Sequence, residues 1–375
     1  MRKLVDVVVL GVGGVGSAAC RQLAQRGWQV LGIEQFAAGH AAGSSHGETR
    51  IIRQAYFEHP HYVPLLKQAY ELWQEIEQAA GLQLYYPTGL IISGTARGTA
   101  VPGAWRSAQE HQLTVEQMTA EEAAERFPWF HFPADHVVLY EPQAGYLRVE
   151  ACVQACWQQA RQSGAELWEH TPVVSWSPCG QGVEVVTTRG TIHAGQLIIT
   201  AGAWARRVLS SVGVPLTIRR KFMGWFALSA TADDWRRAPA YYFEDPAGSF
   251  YGFPSLDGFS LKLAEHTGGE LVSDPNMVDR RCHEEDLTPL QQFAQTHLRG
   301  VTKDLVRYSV CLYTMSPDEH FIVDRHPQCS SAWFVAGLSG HGFKFTPVLG
   351  ESLAQAVEVG KLPTLLQFLG LARFS

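Results

Sequence analysis

Apolar and polar positions at the start of the chain follow the order of a strand, a glycine turn, a helix and a second strand. The β-branched run DVVVL (6–10) is typical of a strand that is buried on both faces. The segment GVGGVG (11–16) follows it, and residues 17–27 have the pattern of a helix that ends at a glycine. Residues 28–34 form a second apolar run, which ends in Glu34. We therefore expect a βαβ unit at the N-terminus.

Helical periodicity and strand-like alternation recur along the rest of the chain. Between residues 166 and 204, short apolar runs with tight turns predict several strands, and residues 196–209 repeat the strand, glycine and helix order. Thr119 with Glu122 three residues later predicts a capping box at a helix start. Helices are predicted over residues 57–85, 119–127 and 145–164 and from about Phe345 onward.

Residues 216–315 differ in character, because aromatic-rich strands dominate them. The Asp-Gly pair at 257–258 predicts a hairpin turn. On the strand after this turn, a period of two places Lys262 and His266 on the same face. With Tyr251, these side chains are candidates for the wall of a polar ligand site. A lysine that is exposed to solvent is the alternative, and the pattern alone supports both equally.

The composition is that of a globular protein with room for two domains. The chain has 375 residues, of which 46% are hydrophobic and 18% are charged. The formal net charge is −6 and the pI is about 6.2, and no basic patch stands out, so we expect no nucleic-acid or membrane-surface partner. The sequence has no uninterrupted apolar run of about 18 residues, which argues against a membrane span.

The cysteines are scattered rather than paired. Seven dispersed cysteines indicate reduced thiols and a cytoplasmic location, not a disulfide framework. Cys152 and Cys156 lie one helical turn apart, but no nearby histidine or cysteine pair completes a tetrahedral set, so we expect helix packing and no metal site. Cys311 precedes a polar turn in VCLYTMSPDEHF (310–321). By itself it is compatible with a buried apolar residue, a nucleophile, a metal ligand or a covalent attachment point.

The N-terminal glycine turn predicts a nucleotide site. Gly11 permits the tight turn, Gly13 lets the backbone approach a pyrophosphate, and Gly16 allows close packing of the helix on the strand. The helix start offers N–H groups and a positive dipole end to phosphates. Glu34 lies where an acid accepts hydrogen bonds from ribose hydroxyls. The motif indicates a cofactor that contains ADP and does not separate NAD from FAD.

Residues 43–56 (GSSHGETRIIRQAY) combine a flexible loop, which contains Ser45, with Thr49, Arg50 and Arg53 at helical spacing. This spacing predicts a helix with both arginines on one face. A guanidinium there would bind a carboxylate with two hydrogen bonds or face a flavin ring. The alternative is a surface helix with solvated arginines. The scarcity of other charges and the nucleotide site just before it argue against that alternative.

A second glycine-rich turn, SGHGFK (339–344), contains Gly340 and Gly342 and leads into a helix with Pro347 in its first turn. Lys344 lies at this junction. A helix N-terminus and a lysine together predict an anion site. The alternative is an ordinary connection in which Lys344 is exposed to solvent.

Together these segments resemble the monomeric sarcosine oxidase and N-methyltryptophan oxidase family of flavoenzymes. The resemblance covers essentially the whole chain and rests on GVGGVG, SHGETRIIRQAY, SFYGFP, LKLAEHTGGE, CLYTMSPDEHFIVD and GLSGHGFKFTPVLGE. It implies that FAD is attached covalently, through its 8α-methyl group, to the sulfur of Cys311. It also implies a monomer whose partners are a small amino acid substrate and O2.

The resemblance also implies roles for single residues: Arg50 and Thr49 lie beside the flavin, Arg53 and Lys344 bind the substrate carboxylate, and Lys262 activates oxygen. The predicted catalytic residues are Lys262, Arg50, Thr49 and His266. The predicted cofactor-binding residues are Gly11, Gly13, Gly16, Glu34, Ser45, Thr49, Arg50, Cys311, Gly340, Gly342 and Lys344. The predicted substrate-binding residues are Arg53, Tyr251, His266, Tyr313 and Lys344.

The implied fold is α/β with two domains. A Rossmann-like FAD-binding domain is discontinuous and comprises residues 1–86, 145–215 and 316–375, and a mixed-sheet substrate domain comprises residues 87–144 and 216–315. The implied reaction is oxidative demethylation of a secondary amino acid such as sarcosine or N-methyltryptophan, which yields H2O2, an aldehyde and the primary amino acid. The alternatives are an oxidase of a cyclic secondary amino acid such as pipecolate or proline, a flavin dehydrogenase with another acceptor, and a nucleotide-binding protein without catalysis.

Overall fold

The computed structural model describes residues 2–374, and in this range no helix has the length and apolar character to cross a membrane. The strands are β1 (Arg2–Leu10), β2 (Val30–Ile33), β3 (Thr49–Ile52), β4 (Tyr85–Tyr86), β5 (Leu90–Thr95), β6 (Glu116–Thr119), β7 (His136–Glu141), β8 (Gly145–Arg148), β9 (Glu166–Trp168), β10 (Val173–Cys179), β11 (Gly182–Thr187), β12 (Gly190–Ile199), β13 (Thr217–Leu228), β14 (Ala240–Asp245), β15 (Gly248–Gly252), β16 (Ser260–Glu265), β17 (Leu271–Val272), β18 (Val301–Met315), β19 (Ile322–Arg325) and β20 (Ala332–Ala336). The helices are α1 (Gly14–Gln25), α2 (Tyr62–Ala80), α3 (Ala100–His111), α4 (Ala120–Arg126), α5 (Val149–Gln162), α6 (Ala205–Val208), α7 (Glu284–His297) and α8 (Thr346–Val359).

The first sheet has eight strands and contains the predicted βαβ unit. Its order is β10-β11-β12-β1-β2-β9, with β20 paired to β12 and β19 paired to β20. β1 runs parallel to both β2 and β12, and β12 runs parallel to β20. Val7, Val8 and Val9 are fully buried, and they contribute alternately to apolar clusters on the two faces. The prediction of a strand covered on both sides is confirmed.

The second sheet has nine strands in the order β17-β13-β16-β15-β14-β5-β7-β6, with β18 paired to β13. Alternate residues of its strands belong to two different apolar clusters, one on each face. Leu261 and Leu263 of β16 contribute to one cluster and Ala264 to the other. Lys262, between the two leucines, therefore lies on the same face as Ala264, together with Tyr251 and Cys311.

The prediction of a helix that begins at residue 49 is wrong. The first part of residues 49–56 is β3, which pairs antiparallel with β8 in a small sheet of order β3-β8-β4. After β3, the carboxylate of Glu141 accepts hydrogen bonds from the N–H groups of Gln54 (2.7 Å) and Ala55 (3.0 Å). These tertiary contacts take up the backbone groups that a helix would use and override the helical spacing of the arginines.

The other predicted helices are present with shifted starts. α2 begins at Tyr62, and α5 begins at Val149 because the first four residues of the predicted segment form β8. The capping box between Thr119 and Glu122 is confirmed, as is a proline in the first turn of α8. Cys152 and Cys156 are buried in the packing of α5, which confirms the packing interpretation.

The two glycine turns approach each other because α1 packs directly against α8. Gly350 of α8 makes this approach close, since a Cβ atom added there would lie 2.7 Å from atoms of Ala18 in α1. Both helices are mostly buried at this contact. The packing fixes the positions of the turns at 11–16 and 339–344 relative to each other, and both turns line the same cavity.

Replacing Gly350 by alanine is expected to destabilise the protein by about 1–3 kcal/mol, because the added methyl group overpacks the helix contact. In an exposed helix the same change stabilises by up to about 1 kcal/mol. Unfolding in denaturant, followed by circular dichroism, measures the difference. Gln355→Ala, on the same helix but partly exposed, is the control and should change the free energy of unfolding by less than about 0.5 kcal/mol. An unchanged or raised midpoint for Gly350→Ala would contradict the packing argument.

Candidate active site

A cavity of about 540 Å³ opens at the carboxyl ends of the parallel strands β1, β2, β12 and β20. Leu10, Ile33, Thr200 and Ala336, which end or follow these strands, line it. Parallel α/β sheets bind nucleotides at this edge. The volume lies within the range of about 300–1,000 Å³ that is usual for small-molecule sites.

The N-terminal glycine turn leaves room for a ligand at one position only. Gly11 has φ +84°, and a Cβ there would lie 2.6 Å from the carbonyl oxygen of Thr200. A Cβ on Gly16 would overlap the carbonyl oxygen of Gly11. At Gly13 the nearest atom to an added Cβ is Oγ of Ser45, at 3.9 Å. The open space at Gly13 is where a pyrophosphate approaches the backbone in a dinucleotide site.

Glu34 directly follows β2 and lines the same cavity. Its Oε2 atom accepts a hydrogen bond from the N–H of Val12 at 2.9 Å, and Oε1 accepts one from Phe36 at 3.1 Å. Burial raises the pKa of Glu34, and these N–H groups oppose the rise. Because a carboxylate has about four lone-pair sites, Glu34 keeps acceptor capacity for ribose hydroxyls.

Thr314 is a further polar residue in the wall of this cavity. Oγ1 of Thr314, at the end of β18, is buried and has no hydrogen-bond partner, although Thr314 lines the cavity. A buried hydroxyl normally finds a partner, so a ligand with a polar group is expected here. Together with the glycine turn and Glu34, this residue set fits an ADP-containing cofactor.

A second, smaller cavity of about 60 Å³ adjoins the first. The two cavities share Arg50, Tyr313, Gly340 and Phe343 in their walls. The small cavity is otherwise lined by residues from the second sheet, from β3 and the segment after it, and from the turn before α8. They are Ile51, Arg53, Phe57, Glu58, Tyr242, Tyr251, His266, His341 and Lys344.

Arg53 is buried in this chamber and pairs with Glu58. Its Nη2 atom donates to both carboxylate oxygens of Glu58, at 2.7 and 2.8 Å, and Nη1 donates to the carbonyl oxygen of Ala55 at 2.8 Å. The guanidinium also packs on the rings of Tyr56 and Phe57, 4.2 and 4.0 Å from their centroids. Burial alone would raise the pKa of Glu58, but Arg53 and its neighbours outweigh burial and lower that pKa to about 2.

Lys344 supplies the second cation of the chamber, and its exposed fraction is 5%. Its Nζ atom donates to the carbonyl oxygen of His341 at 2.7 Å and lies 5.2 Å from the centroid of the Tyr56 ring. Burial, and then the positive charge of Arg53, lower the pKa of Lys344 to about 7, and Glu58 opposes this shift.

His266 lies among three tyrosine rings of the chamber wall. The ring centroids of Tyr242, Tyr251 and Tyr313 are 5.9, 6.4 and 5.7 Å from that of His266. Burial, and then the charge of Lys221 on the neighbouring strand, lower the pKa of His266 to about 3. Its imidazole is therefore neutral at physiological pH and offers one donor and one acceptor nitrogen.

Arg50 lies at the junction of the two cavities and contacts the predicted attachment residue. Its Nη2 atom lies 3.3 Å from Sγ of Cys311 and 2.9 Å from the carbonyl oxygen of Ser44, and Nη1 donates to the carbonyl oxygen of Thr49 at 2.9 Å. Cys311 is buried on β18, opposite Lys221 of β13. Its sulfur thus lies beside the guanidinium of Arg50.

Lys262 lies behind Arg50, on the face of β16 that points to the site. Its Nζ atom donates to the carbonyl oxygens of Gly47 (2.6 Å) and Thr49 (2.8 Å) and to Oγ1 of Thr49 (3.1 Å). The ammonium also lies 4.7 Å from the centroid of the Phe253 ring. Burial, and then Arg50, lower the pKa of Lys262 well below its usual value. The alternative that Lys262 is exposed to solvent is wrong.

Comparison with known proteins shows which family the chain belongs to. A family model described as FAD dependent oxidoreductase matches residues 6–356. Monomeric sarcosine oxidase of Streptomyces avermitilis is 41% identical over 361 residues, which cover 95% of this chain and 94% of that protein. N-methyl-L-tryptophan oxidase of Yersinia pestis is 37% identical over 373 residues, which cover 98% and 99%. The chain belongs to this family of FAD-dependent oxidoreductases.

A solved structure shows the same fold. NikD, an unusual amino acid oxidase essential for nikkomycin biosynthesis, matches in its open form with a TM-score of 0.87 and 22% identity, covering 98% of this chain and 97% of that chain. The predicted family, the α/β fold with a Rossmann-like FAD-binding part and the FAD cofactor are confirmed. The residues around the large cavity fit this cofactor.

The predicted site residues of this FAD-dependent oxidoreductase fall into two groups. Most line one or both cavities: Gly11, Gly13, Glu34, Ser45, Arg50, Arg53, Tyr251, His266, Tyr313, Gly340, Gly342 and Lys344. The others lie directly behind residues that do: Gly16, Thr49, Lys262 and Cys311. Arg50 and Arg53 were predicted to face the same side of a helix. The helix is absent, but both side chains still line the small cavity.

The sequence interpretation missed several polar residues of the site. Glu58 was not predicted, although its position five residues after Arg53 was a usable signal. Thr314 and Ser44 line the large cavity, and no sequence motif marks either residue. Glu150 was also missed; it binds the backbone at residues 47–48 from a distance of about 100 residues in sequence.

The pKa of Lys344 predicts how anion binding depends on pH. Acetate, which has no amine to titrate, should bind with constant Kd below about pH 7 and more weakly as pH rises above it, since the unliganded lysine loses its charge there. The weakening should approach about tenfold per pH unit. Acetate titrations followed by the flavin absorption spectrum measure Kd.

Lys344→Arg keeps its charge at every accessible pH and should remove this pH dependence. Lys67→Arg, at an exposed position of α2, is the matched control and should behave like the unaltered protein. An acetate Kd that stays flat from pH 6 to 9 in the unaltered protein would overturn this assignment of the titrating group.

Proposed function

We propose that this protein oxidises a small N-methyl amino acid of the sarcosine type, with O2 as electron acceptor. The overall reaction is R–NH–CH3 + O2 + H2O → R–NH2 + HCHO + H2O2. The observation that carries the proposal is the chamber with two buried cations, Arg53 and Lys344, which shares its wall with the FAD cavity. The names of the relatives in Streptomyces avermitilis and Yersinia pestis support the same substrate class.

FAD, when bound, supplies the acceptor for the two electrons of the C–H bond beside the amine. Arg53 and Lys344 hold the substrate carboxylate and so fix the position of that C–H bond. Glu58 now occupies Nη2 of Arg53, so the substrate carboxylate competes with Glu58 for this guanidinium.

The charges of the chamber also select the protonation state of the substrate. A positively charged amine is disfavoured beside Arg50, Arg53 and Lys344, because like charges in a buried site repel. The neutral ring of His266 offers a nitrogen that accepts a hydrogen bond without adding charge. The site therefore favours the neutral amine, which is the form that can be oxidised.

The size of the chamber supports a small substrate. A volume of about 60 Å³ holds only a few non-hydrogen atoms, and the aromatic rings of Phe57, Tyr242 and Tyr251 form part of its wall. An indole side chain would have to displace these rings, whereas the methyl and carboxylate groups of sarcosine would not. We therefore place sarcosine-like substrates before N-methyltryptophan.

Lys262 is proposed as the residue that promotes the reaction with O2. Its ammonium is buried and held by three oxygen atoms on the face of β16 that points to the site. A fixed positive charge in a water-poor environment stabilises negative charge that develops on oxygen. Thr49 contributes to this role because its hydroxyl group accepts a hydrogen bond from the Lys262 ammonium. Arg50 contributes a second positive charge in the wall that the two cavities share.

Cys311 is proposed as the covalent attachment point for FAD, through the 8α-methyl group. Its Sγ atom lies 3.3 Å from Nη2 of Arg50, a residue that lines both cavities. Forming the thioether removes two electrons and two protons from the thiol and the methyl group, and O2 takes them up as H2O2.

The division into two domains stays a proposal, supported by the membership of the sheets. Strands from residues 1–86, 145–215 and 316–375 build the first sheet, and strands from residues 87–144 and 216–315 build the second. The monomeric state rests on the name of the sarcosine oxidase relatives, and the cytoplasmic location rests on the scattered cysteines.

Peroxide formation in air by the purified protein tests the function, with sarcosine, N-methyl-L-tryptophan, pipecolate, proline and glycine as substrates. We expect the highest kcat/KM for sarcosine and a value at least about tenfold lower for N-methyl-L-tryptophan. Tyr242→Ala, which enlarges the chamber, should reduce the ratio of kcat/KM for sarcosine to kcat/KM for N-methyl-L-tryptophan. If only the cyclic amines pipecolate and proline yield peroxide, the protein is an oxidase of cyclic secondary amino acids. If no substrate yields peroxide, the proposal is refuted.

Acid precipitation tests the covalent bond to Cys311. The flavin of the unaltered protein should stay in the pellet, and that of Cys311→Ser should pass into the supernatant. Cys179→Ser, which alters an exposed cysteine, serves as the control and should retain the flavin. Release of flavin from the unaltered protein would rule out the thioether.

A further inference from the structure

The backbone beside Lys262 has an unusual conformation. Gly47 has φ +89° and the next residue, Glu48, has φ +67°. The left-handed region is available to glycine at no cost but is unfavourable for glutamate. Two such residues in succession reverse the chain just before β3. Such a conformation persists only when the surroundings hold it, and it is enriched at functional sites.

Glu150, in the first turn of α5, holds this reversal. Its Oε1 atom accepts hydrogen bonds from the N–H groups of Gly47 at 2.6 Å and Glu48 at 3.1 Å, and Oε2 accepts a second bond from Glu48 at 3.1 Å. The N–H of Val149 donates to the carbonyl oxygen of Glu48 at 2.9 Å. The start of α5 thus binds both faces of the turn, and its dipole favours a carboxylate at this end.

The side chain of Glu48 is anchored in a different direction. Its Oε2 atom accepts from Nε1 of Trp225 at 3.1 Å, and Oε1 lies 2.8 Å from Nη2 of Arg307. Arg307 also packs on the Trp225 ring, 4.0 Å from its centroid. Glu48 therefore fastens the turn to β13 and β18, and Glu150 is the carboxylate that binds the backbone of the turn.

A single peptide group connects Glu150 with Lys262. The N–H of Glu48, which donates to Glu150, and the carbonyl oxygen of Gly47, which accepts from Nζ of Lys262 at 2.6 Å, belong to the same peptide unit. A carboxylate on the N–H side polarises the peptide and makes its oxygen a stronger acceptor. Burial lowers the pKa of Lys262, and the charge of Glu150 is the largest influence that opposes the lowering.

We propose that Glu150 is a positioning residue for the oxygen reaction: through the peptide between residues 47 and 48, it fixes the ammonium of Lys262 and compensates its charge. The inference rests on the proposed role of Lys262 in the reaction with O2. Glu150 lines neither cavity, and the hydrogen bonds of the Lys262 ammonium go to Gly47 and Thr49 and not to Glu150. Its effect is therefore expected on reoxidation of the flavin and not on substrate binding.

The test compares Glu150→Ala and Glu150→Gln with the unaltered holoenzyme. Stopped-flow kinetics measure anaerobic reduction by substrate and, separately, reoxidation by O2 of flavin that dithionite has reduced. Glu150→Ala should lower the rate constant with O2 at least about tenfold while reduction changes by less than about threefold. Glu150→Gln keeps an acceptor oxygen but loses the charge that raises the pKa of Lys262. As pH rises, the rate constant of this variant with O2 should therefore begin to decrease at a lower pH than that of the unaltered protein.

Hydrogen exchange supplies a readout that does not depend on activity. The amides of residues 47 and 48 should exchange faster in Glu150→Ala and nearly normally in Glu150→Gln. Glu285→Gln, in the exposed first turn of α7, is the matched control and should leave both exchange and kinetics unchanged.

Three results would overturn the inference. One is faster exchange in Glu150→Ala with an unaltered oxygen reaction, which would make Glu150 purely structural. Another is a parallel loss of reduction and reoxidation. The third is an unaltered oxygen reaction in Lys262→Met, which would also remove the proposed role of Lys262. Because dithionite replaces the substrate in the reoxidation measurement, failure of the sarcosine assignment leaves that measurement and the hydrogen-exchange comparison intact and can be told apart from failure of this inference.

Discussion

Buried positive charge is the constraint on which the site depends. Arg50, Arg53, Lys262 and Lys344 are each less than 10% exposed. Of these four cations, only Arg53 forms a direct ion pair with a carboxylate of the described residues 2–374. Burying a cation without an opposite charge costs several kcal/mol, which backbone carbonyl groups and a thiol offset only in part. This excess of positive charge suits a protein that binds an anionic substrate next to an electron-accepting cofactor. The substrate carboxylate and the reduced cofactor both bring negative charge to these cations.

This constraint accounts for the unusual backbone around the cavities. Carbonyl oxygens must converge on the amines, and regular strands and helices direct their carbonyl groups elsewhere. Gly47 and Glu48 adopt positive φ where the carbonyl oxygens of Gly47 and Thr49 bind Lys262. Ser339 and Gly340 adopt positive φ just before His341, whose carbonyl oxygen binds Lys344. Irregular segments next to two regular sheets thus supply the acceptors, and the sheets hold them in place.

The sequence revealed those parts of the fold that local patterns determine. The βαβ unit with GVGGVG was predictable because strand, turn and helix lie within 34 residues. The structure of residues 49–56 was not, because Glu141, 86 residues beyond Ala55, binds the backbone there. Glu150 escaped notice for the same reason: its partners lie 102 and 103 residues away, and a glutamate in a first helical turn looks like an ordinary cap.

The pair of Arg53 and Glu58 shows how the resting site tolerates its charges. With Glu58 ionised, as its lowered pKa requires, the pair is neutral, and Lys344 carries the remaining charge with a pKa of about 7. A substrate carboxylate that replaces Glu58 at Arg53 adds negative charge beside Lys344 and favours its protonated form. The same cations disfavour a proton on the substrate amine. Carboxylate binding and amine deprotonation therefore act in the same direction, and the chamber that binds the acid end of the substrate also prepares its amine for oxidation.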